Sequence, residues 1–468
     1  ESRDAGHLRG LETAETQKAI QEELGDGRIR TAVIGPAGEK RVRYACIHND
    51  ITHVAGRTGM GAVMGAKGLK AVAVRGSRLP EPADQEKLRT LNRWMMENFR
   101  EKSRHWRYGT GSDMASYEAN GNLPIRNFQG GRFPGVEKIN AQVLCAKYVE
   151  KMDNCYGCPI RCKRVCRLDG PFAVDPVYGG PEYETLAALG SNCGIDELEA
   201  LIKAHELCNR YGIDTISAGV VIAFAMECVE RGILGPADTD GLDLRFGNAG
   251  AMIEMIGRIA RREGLGDLLA EGTRRAAQRI GKGSEAFAMQ VKGEELPMHE
   301  PRSKQAMGLH YSLHATGADH GTGIHDFDAL NPGTGAKLYA KASSAHLINH
   351  LGLCKFVPWS DAQVLEAVAL VTGWPVTARE LTEVVDRGVA LARIFNLREG
   401  FSEKDDVLPK RFHSSPAAGP LKGLDPEQFS MAQKGYYRAM GWDEAGVPTA
   451  SRLDALGIGW ASEQLPVK

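Results

Sequence analysis

The sequence predicts an α+β protein: a β-rich N-terminal segment followed by two mainly α-helical domains. Three observations carry this. Short β-branched runs crowd the first 80 residues, helical periodicity with two complete capping boxes dominates the rest of the chain, and 468 residues exceed what one hydrophobic core usually organises.

Thr13-Ala14-Glu15-Thr16 opens a helix. Arg30 to Gly35 and Arg41 to Ile47 then read as strands, punctuated by Gly35-Pro36-Ala37-Gly38, and Leu69 to Val74 reads as the next. The Pro-Glu-Pro stretch from Leu79 to Pro82 marks a boundary, so the first domain is expected at 1–80. Helices are expected at Asp196 to Tyr211 and Ala249 to Arg262. A softer boundary near Ala286 to Glu294, where helical periodicity gives way to Gly, His and Pro, divides the remainder into 81–288 and 289–468. In the last domain Ser360 with Gln363 stands ahead of Val364, Leu365, Val368 and Val371. Thr377 with Glu380 likewise precedes Leu381, Val384, Val385 and Gly388, and both pairs match the reciprocal capping pattern that starts helices. No internal repeat or low-complexity segment interrupts the chain.

Charge narrows the function classes. Lys+Arg 58 against Asp+Glu 59 leaves a net charge of -1, which removes the electrostatic reason to expect nucleic acid or an anionic membrane as partner. The 43% apolar fraction is ordinary for a globular chain, and no run approaches the roughly 18 apolar residues of a membrane span. A small or neutral ligand is expected instead. Glycine, at 55 residues, is enriched without a collagen-like period, which suits a chain wrapped around a cofactor. The chain opens Glu-Ser-Arg-Asp with no Met and no signal-peptide core, so its start is expected to have been removed by processing or truncation. Ten cysteines, three of them between Cys155 and Cys162, look unlike an extracellular disulfide framework; they point to metal ligation in a reducing compartment, the cytoplasm.

The sharpest motif is Cys155-Tyr156-Gly157-Cys158-Pro159-Ile160-Arg161-Cys162. Thiolates select zinc or iron-sulfur centres, and zinc sites usually pair two short Cys/His hooks, whereas three clustered Cys with a Pro suit an iron-sulfur cluster better. Zinc and unliganded buried thiols remain the alternatives. The spacing of two then three differs from the three-then-two order of radical-SAM proteins. A fourth ligand could be Cys166, Cys193, Cys208 or Cys354, and spacing does not choose.

The second motif is the glycine-rich run from Ala55 through Gly56, Arg57, Gly59, Gly61 and Lys67 to Lys70. Backbone N–H groups beside fixed positive charge suit a phosphate or a polar heterocycle; the alternative is a plain glycine-rich turn with solvated basic residues. The run matches neither the P-loop nor the dinucleotide fingerprint, and it precedes the strand Leu69 to Val74 rather than following one. Third, Gly180-Pro181-Glu182-Tyr183-Glu184-Thr185 offers two carboxylates beside a helix. If extended, they point to opposite sides and only one faces a site, and a Glu at a helix start is more often a dipole or capping residue than a catalyst. Finally His299, His310, His314, His320 and His325 crowd together with Asp319, Asp326 and Asp328. His310 and His314 could share a helical face as in zinc peptidases, but Tyr311 stands where the catalytic Glu would follow.

Taken together these residues resemble the tungsten-containing aldehyde ferredoxin oxidoreductase family. The ordered matches are Ile34 to Glu39, Ala55 to Lys70 with Val72 to Gly76, Leu123 to Phe128, the Cys155 cluster, Gly180 to Thr185, Cys208 to Ser217, Gly317 to His320, Asn349 to Cys354 and Asn396 to Gly400. The resemblance implies that residues 1–80 are the remnant of a pterin-binding base domain that begins before position 1. It implies a tungsten ion, less readily molybdenum, held by two pterins whose phosphates are linked by Mg, beside one [4Fe-4S] cluster. Carried over by position, the cluster ligands are Cys155, Cys158, Cys162 and Cys354. The pterin-binding pattern D-x-x-G-L-[CD] corresponds to Asn209, Gly212, Ile213 and Asp214, and to Asn349, Gly352, Leu353 and Cys354, with Asn replacing the leading Asp in both. The acid/base Glu maps onto Glu184, with Glu182 close behind, and the His near tungsten onto His320.

The implied activity is oxidation of an aldehyde to a carboxylic acid, with ferredoxin or an iron-sulfur partner subunit receiving electrons one at a time. Glu184 would serve as general base and His320 would hydrogen-bond the carbonyl oxygen. After His320 the family often continues Leu-Arg, whereas this chain has Gly321-Thr322-Gly323-Ile324-His325-Asp326, so the substrate pocket is expected to differ. That loop motivates a first alternative, the catalytic subunit of a benzoyl-CoA-reductase-like tungstoenzyme with an aromatic substrate. A second is a non-enzymatic iron-sulfur electron-transfer module. Iron bridging two subunits through E-x-x-H pairs is not expected, because Ile202 stands three before His205. Whether the chain forms homo- or hetero-oligomers is left open.

Overall fold

The computed structural model describes residues 1–465. The chain forms two compact units, one from Glu1–Ser77, Arg107–Glu300 and Pro416–Leu421, the other from Arg78–Trp106, Pro301–Ser415 and Lys422 onward. The architecture is α+β, with long helices and small antiparallel sheets.

In the first unit a four-stranded sheet has the order β3-β2-β1-β4, with β1 Arg30–Val33, β2 Ile47–Asn49, β3 His53–Ala55 and β4 Ala71–Val74. All pairs are antiparallel, and Ala32 stands opposite Asn49 on one side and Val72 on the other. Helix Thr13–Leu24 begins where its first residues suggested, with Glu12 and Glu15 forming a reciprocal cap. It places Ile20 against Ile29, Val33 and Leu8, each worth about 1.5–3 kcal/mol if fully removed from water.

The expected strand Arg41 to Ile47 does not form. Only Ile47 joins β2; the preceding residues turn, with Arg41 at φ 58°, and spend their backbone groups on distant segments. Arg43 N–H donates to Ala270 O at 2.9 Å and Cys46 N–H to Gly212 O at 2.8 Å. A β-branched run therefore serves here as a cross-link between segments rather than as a ladder. The glycine-rich run likewise contains a helix, Met60–Ala66, instead of an open loop. Its glycines allow backbone contact: a Cβ on Gly61 would stand 2.3 Å from Cys46 O, and one on Gly65 1.9 Å from Gly38 O.

Helix Thr215–Glu230 is buried from Ile216 through Cys228, as its sequence of small and apolar residues on every face requires. It packs against the short helix Tyr183–Leu189 that carries Glu184. A two-stranded hairpin, β5 Val149–Asp153 and β6 Lys163–Cys166, pairs Asp153 with Lys163, so Cys155, Cys158 and Cys162 all lie on its loop.

The second unit is helical. Asp361–Thr372 and Ala378–Arg398 start with both expected capping boxes, Ser360 with Gln363 and Thr377 with Glu380. Leu91, on helix Gln85–Lys102, buries itself against Ala367 and Leu370. Helix Thr334–His350 crosses Pro426–Met440 closely enough that a Cβ on Gly335 would meet Ala432 O at 2.1 Å.

Candidate functional site

The first unit contains a cavity of about 260 Å³ whose lining draws on three of the segments with candidate site residues and on Lys163 beside a fourth. Gly56 comes from the glycine-rich run, Glu182 and Glu184 from the acidic segment, Asn209, Ile213 and Asp214 from the first Asn-x-x-Gly segment, and Lys163 from the end of the cysteine loop. Arg57, Gly59, Gly61 and Gly212 do not line it, nor do the exposed Ala55 and Lys67.

Both glutamates reach the cavity, against the expectation that only one would. The reason is local. Glu182 is the extended residue before helix Tyr183–Leu189 (φ −88°, ψ 172°) and Glu184 lies in its first turn, so they are not successive residues of one strand. Nor does Glu182 cap the helix; its side chain makes no capping bond. Instead Thr110 Oγ1 donates to its carboxylate, and Arg164 Nη1 stands 3.6 Å away. Arg164 is itself fully buried and saturated by carbonyls, with Nε donating to Tyr108 O at 3.0 Å and the guanidinium also reaching Pro181 O and Thr110 O. Glu184 is largely buried. Its Oε2 accepts from Met298 N–H at 2.7 Å, and its Oε1 lies 3.7 Å from His299 Nε2.

On the opposite wall Asp214 caps helix Thr215–Glu230, accepting from the N–H groups of Ile216 and Ser217 at 3.1 and 3.2 Å. The same carboxylate stands 3.5 Å from Arg57 Nε, which also lies 2.5 Å from Glu294 Oε1. Burial works against charge on Arg57, but Glu294 and Asp214 hold it protonated, while burial pushes the Glu294 carboxyl up. Arg57 Nη1 is buried without a protein partner. Asn209 Nδ2 donates to Tyr178 O at 2.9 Å, and His205 Nε2 lies 3.2 Å from the same oxygen. Burial lowers His205 to about 4, so this cavity-lining imidazole is neutral near pH 7, and its Nδ1 is also buried without a partner. In the sequence His205 bears only on the absent iron motif; nothing in its spacing marks it as part of this wall.

Lys163 links the cavity to the cysteine loop. Burial lowers its ammonium, opposed by Cys155, Glu182 and Cys162. Cys158 N–H donates to Cys155 O at 3.0 Å, and Asn154 Nδ2 to Cys158 O at 3.2 Å, which orders the loop. The ten cysteines form no disulfide among the described residues, with Cys155 exposed and Cys158 and Cys162 half-buried. Among the described residues, the group whose ligand atoms all lie within 4.8 Å of one another is His310, His314 and Asp319, not the three cysteines. Of the four candidates for a fourth ligand, Cys166, Cys193 and Cys208 are buried, and burial pushes their thiols up, Cys166 to about 12. Cys354 is exposed.

The unpartnered His205 Nδ1 in the lining, the unpartnered Arg57 Nη1 behind Asp214, and the carboxylates of Glu182, Glu184 and Asp214 suit a polar heterocycle. The volume lies below the ~300–1,000 Å³ of typical ligand pockets, room for one fused ring system rather than two.

Asn349, Gly352, Leu353, Cys354 and His320 belong to the second unit. Asn349 is exposed at the end of helix Thr334–His350, and Leu353 N–H closes back on Ile348 O at 2.9 Å. His320 is half-buried, and its carbonyl accepts from His325 Nε2 at 2.9 Å.

The family description "aldehyde ferredoxin oxidoreductase, N-terminal domain" matches residues 1–76, and that for domains 2 and 3 of the same enzymes matches 87–458. The chain is similar to the tungsten-containing aldehyde ferredoxin oxidoreductases of Pyrococcus furiosus and Thermococcus kodakarensis, at 36% identity over 98% of this chain and 78% of each relative. It is 33% identical, over 92% of its length and 70% of the relative's, to the WOR-like subunit of an aliphatic sulfonate oxidoreductase of Pyrococcus furiosus. Among solved structures, a chain of the active-site complex BamBC of benzoyl coenzyme A reductase with 1,5-dienoyl-CoA superposes with a TM-score of 0.79. That match covers 99% of this chain and 78% of the other at 23% identity, a likeness of fold.

Proposed function

The chain belongs to the aldehyde ferredoxin oxidoreductase family, and from that premise we propose that it is a tungstopterin oxidoreductase that converts an aldehyde to a carboxylic acid and passes electrons to ferredoxin. The observation that supports the reading is the cavity in which Glu182, Glu184, Asn209 and Asp214 meet beside the cysteine loop, with Arg57 behind Asp214 at 3.5 Å.

The residues that would hold the cofactors are Cys155, Cys158, Cys162 and Cys354 for a [4Fe-4S] cluster. By the resemblance, Gly56, Arg57 and the 209–214 segment would hold one pterin and the 349–354 segment the second, with Mg as their counter-ion. When bound, the tungsten centre supplies two-electron redox exchange and the cluster one-electron transfer. The chain's own groups supply the rest. Glu184 holds or accepts a proton at the carboxylate that Met298 N–H and His299 orient. His320 donates an N–H to the substrate oxygen where negative charge develops. Arg57 offers Nη1 to an anionic or carbonyl group of the cofactor, and neutral His205 offers Nδ1.

The test is elemental and pterin analysis of the anaerobically purified protein, followed by turnover with aldehydes. Tungsten, pterin and iron are expected together. Glu184→Gln is expected to keep all three and to lose about 10²- to 10⁴-fold in turnover. Full activity in that variant with loss in Glu182→Gln would exchange their roles. Iron without tungsten or pterin would replace the reading with an electron-transfer module. Reduction of an aryl-CoA thioester with no aldehyde oxidation would replace it with a reductase.

A further inference from the structure

His310, His314 and Asp319 are left unused by that mechanism, and all three belong to the second unit. His310 is buried on helix Gln305–Leu313, and His314 follows one turn later as the residue that ends the helix. Their rings stand 5.2 Å apart between centroids. The chain then turns back so that Asp319 Oδ2 comes within 3.3 Å of His310 Nε2. One ligand atom from each of the three residues lies within 4.8 Å of the other two.

Two features show that the surrounding chain is shaped for this approach. Thr322 fixes the carboxylate, its N–H and hydroxyl both donating to Asp319 Oδ2 at 2.8 and 2.6 Å, and the same hydroxyl accepts from His310 Nε2 at 2.9 Å, the bond an incoming metal ion would replace. Glycine at 323 then lets the loop lie against the imidazole. A Cβ there would stand 2.6 Å from Met307 Sδ and 2.9 Å from His310 Cδ2. The stretch Gly321-Thr322-Gly323 thus supplies both the groups that hold Asp319 and the space against His310.

We propose that His310, His314 and Asp319 bind one divalent first-row transition-metal ion, which pins the 319–323 loop, and with it His320, to helix Gln305–Leu313. Two imidazoles four residues apart and one carboxylate make a three-ligand set that leaves room for water, and nitrogen-oxygen donors of this kind select zinc or iron(II) over magnesium or calcium. Ligand atoms on one ion at about 2.0–2.1 Å stand about 3.4 Å apart, so the present spacing closes by small side-chain rotations. Thr322 takes the outer position that orients a ligating carboxylate. The inference does not depend on which substrate the enzyme oxidises.

Zinc is the probe. The holoenzyme is incubated with excess zinc, dialysed and assayed for zinc, iron and tungsten, and its zinc-edge X-ray absorption is recorded. One zinc per chain with nitrogen and oxygen neighbours is expected. His314→Ala and Asp319→Asn are expected to abolish uptake with iron and tungsten contents unchanged. Thr322→Val should weaken affinity about 10- to 100-fold in competition with a chelator, an effect a merely structural threonine would not produce. His310→Ala, at a buried position, is read only alongside the other variants. No uptake by the wild-type protein, sulfur neighbours at the zinc edge, or uptake unchanged in His314→Ala and Asp319→Asn would each overturn the proposal and leave a hydrogen-bonded His–Asp pair.

Discussion

Two segments of the chain, Asn209–Asp214 and Asn349–Cys354, share a pattern and a turn but not an environment. Each ends a long helix, and each places glycine in the left-handed region, Gly212 at φ 75° and Gly352 at φ 66°. Each closes the same way, Ile213 N–H on Cys208 O at 2.8 Å and Leu353 N–H on Ile348 O at 2.9 Å. There the likeness stops. Asn209 and Asp214 are buried, and Asp214 caps a central helix and faces Arg57. Asn349 and Cys354 are exposed, and Cys354 keeps its thiol accessible. The Asn-x-x-Gly pattern specifies a helix stop; whether that stop becomes a cavity wall or an accessible ligand depends on what packs around it.

The comparison breaks most visibly at the glycines. Gly212→Ala would strain a left-handed residue and press a Cβ to 3.0 Å from Gly35 N, whereas Gly352→Ala would meet nothing within 4 Å. The first is expected to cost about 3 kcal/mol, strain plus overpacking, and the second about 1 kcal/mol, in denaturant unfolding. Equal losses would show that the turn alone matters.

The buried segment also carries a pH dependence. His205, one turn before Asn209, is lowered by burial from 6.5 to about 4. The unfolded chain therefore takes up the proton first, and this contribution to stability is full above about pH 6.5 and is lost as pH falls towards 4. A shift of that size corresponds to about 3 kcal/mol over the window. Thermal unfolding as a function of pH is expected to slope less in His205→Gln than in the wild type; parallel curves would remove His205 from the acid response.

Smaller effects sharpen the contrast at the last position of each segment. Asp214→Ala removes a helix cap and one of the two carboxylates beside the buried Arg57, an expected loss of about 2 kcal/mol by denaturant titration. Cys354→Ser, at an exposed site, is expected to move stability by less than about 0.5 kcal/mol in cluster-free protein. In the holoprotein it should nevertheless give a three-iron signal in electron paramagnetic resonance, while Cys166→Ala keeps the intact cluster. The reverse pattern would move the fourth ligand to Cys166.

Helix starts were the most legible part of the fold. Ser360 with Gln363 and Thr377 with Glu380 form their caps from side chains three residues apart, an interaction complete within one turn. The run from Arg41 to Ile47 misled for the opposite reason: its β-branched residues suit a strand, but its N–H groups are taken by Ala270 and Gly212, partners far along the chain. For the site, motif spacing singled out Glu182, Glu184 and the cysteine run, and the family resemblance added Asp214. It did not reveal that both glutamates reach one cavity, nor that His205 joins them, since both depend on how a short helix sits against its neighbours.

What the sequence by itself determined, then, is α+β class, helix boundaries and the three-thiol run, because capping, glycine turns and ligand spacing act within a few residues, and the family resemblance, because its motifs follow one another in order along the chain. What only the tertiary structure decided is which of those pieces are desolvated together. Burial lowers His205, pushes three of the candidate thiols up while leaving Cys354 exposed, and turns one of two like-patterned helix ends into the wall of a cavity. Desolvation is a property of everything packed around a group, so no spacing along the chain encodes it.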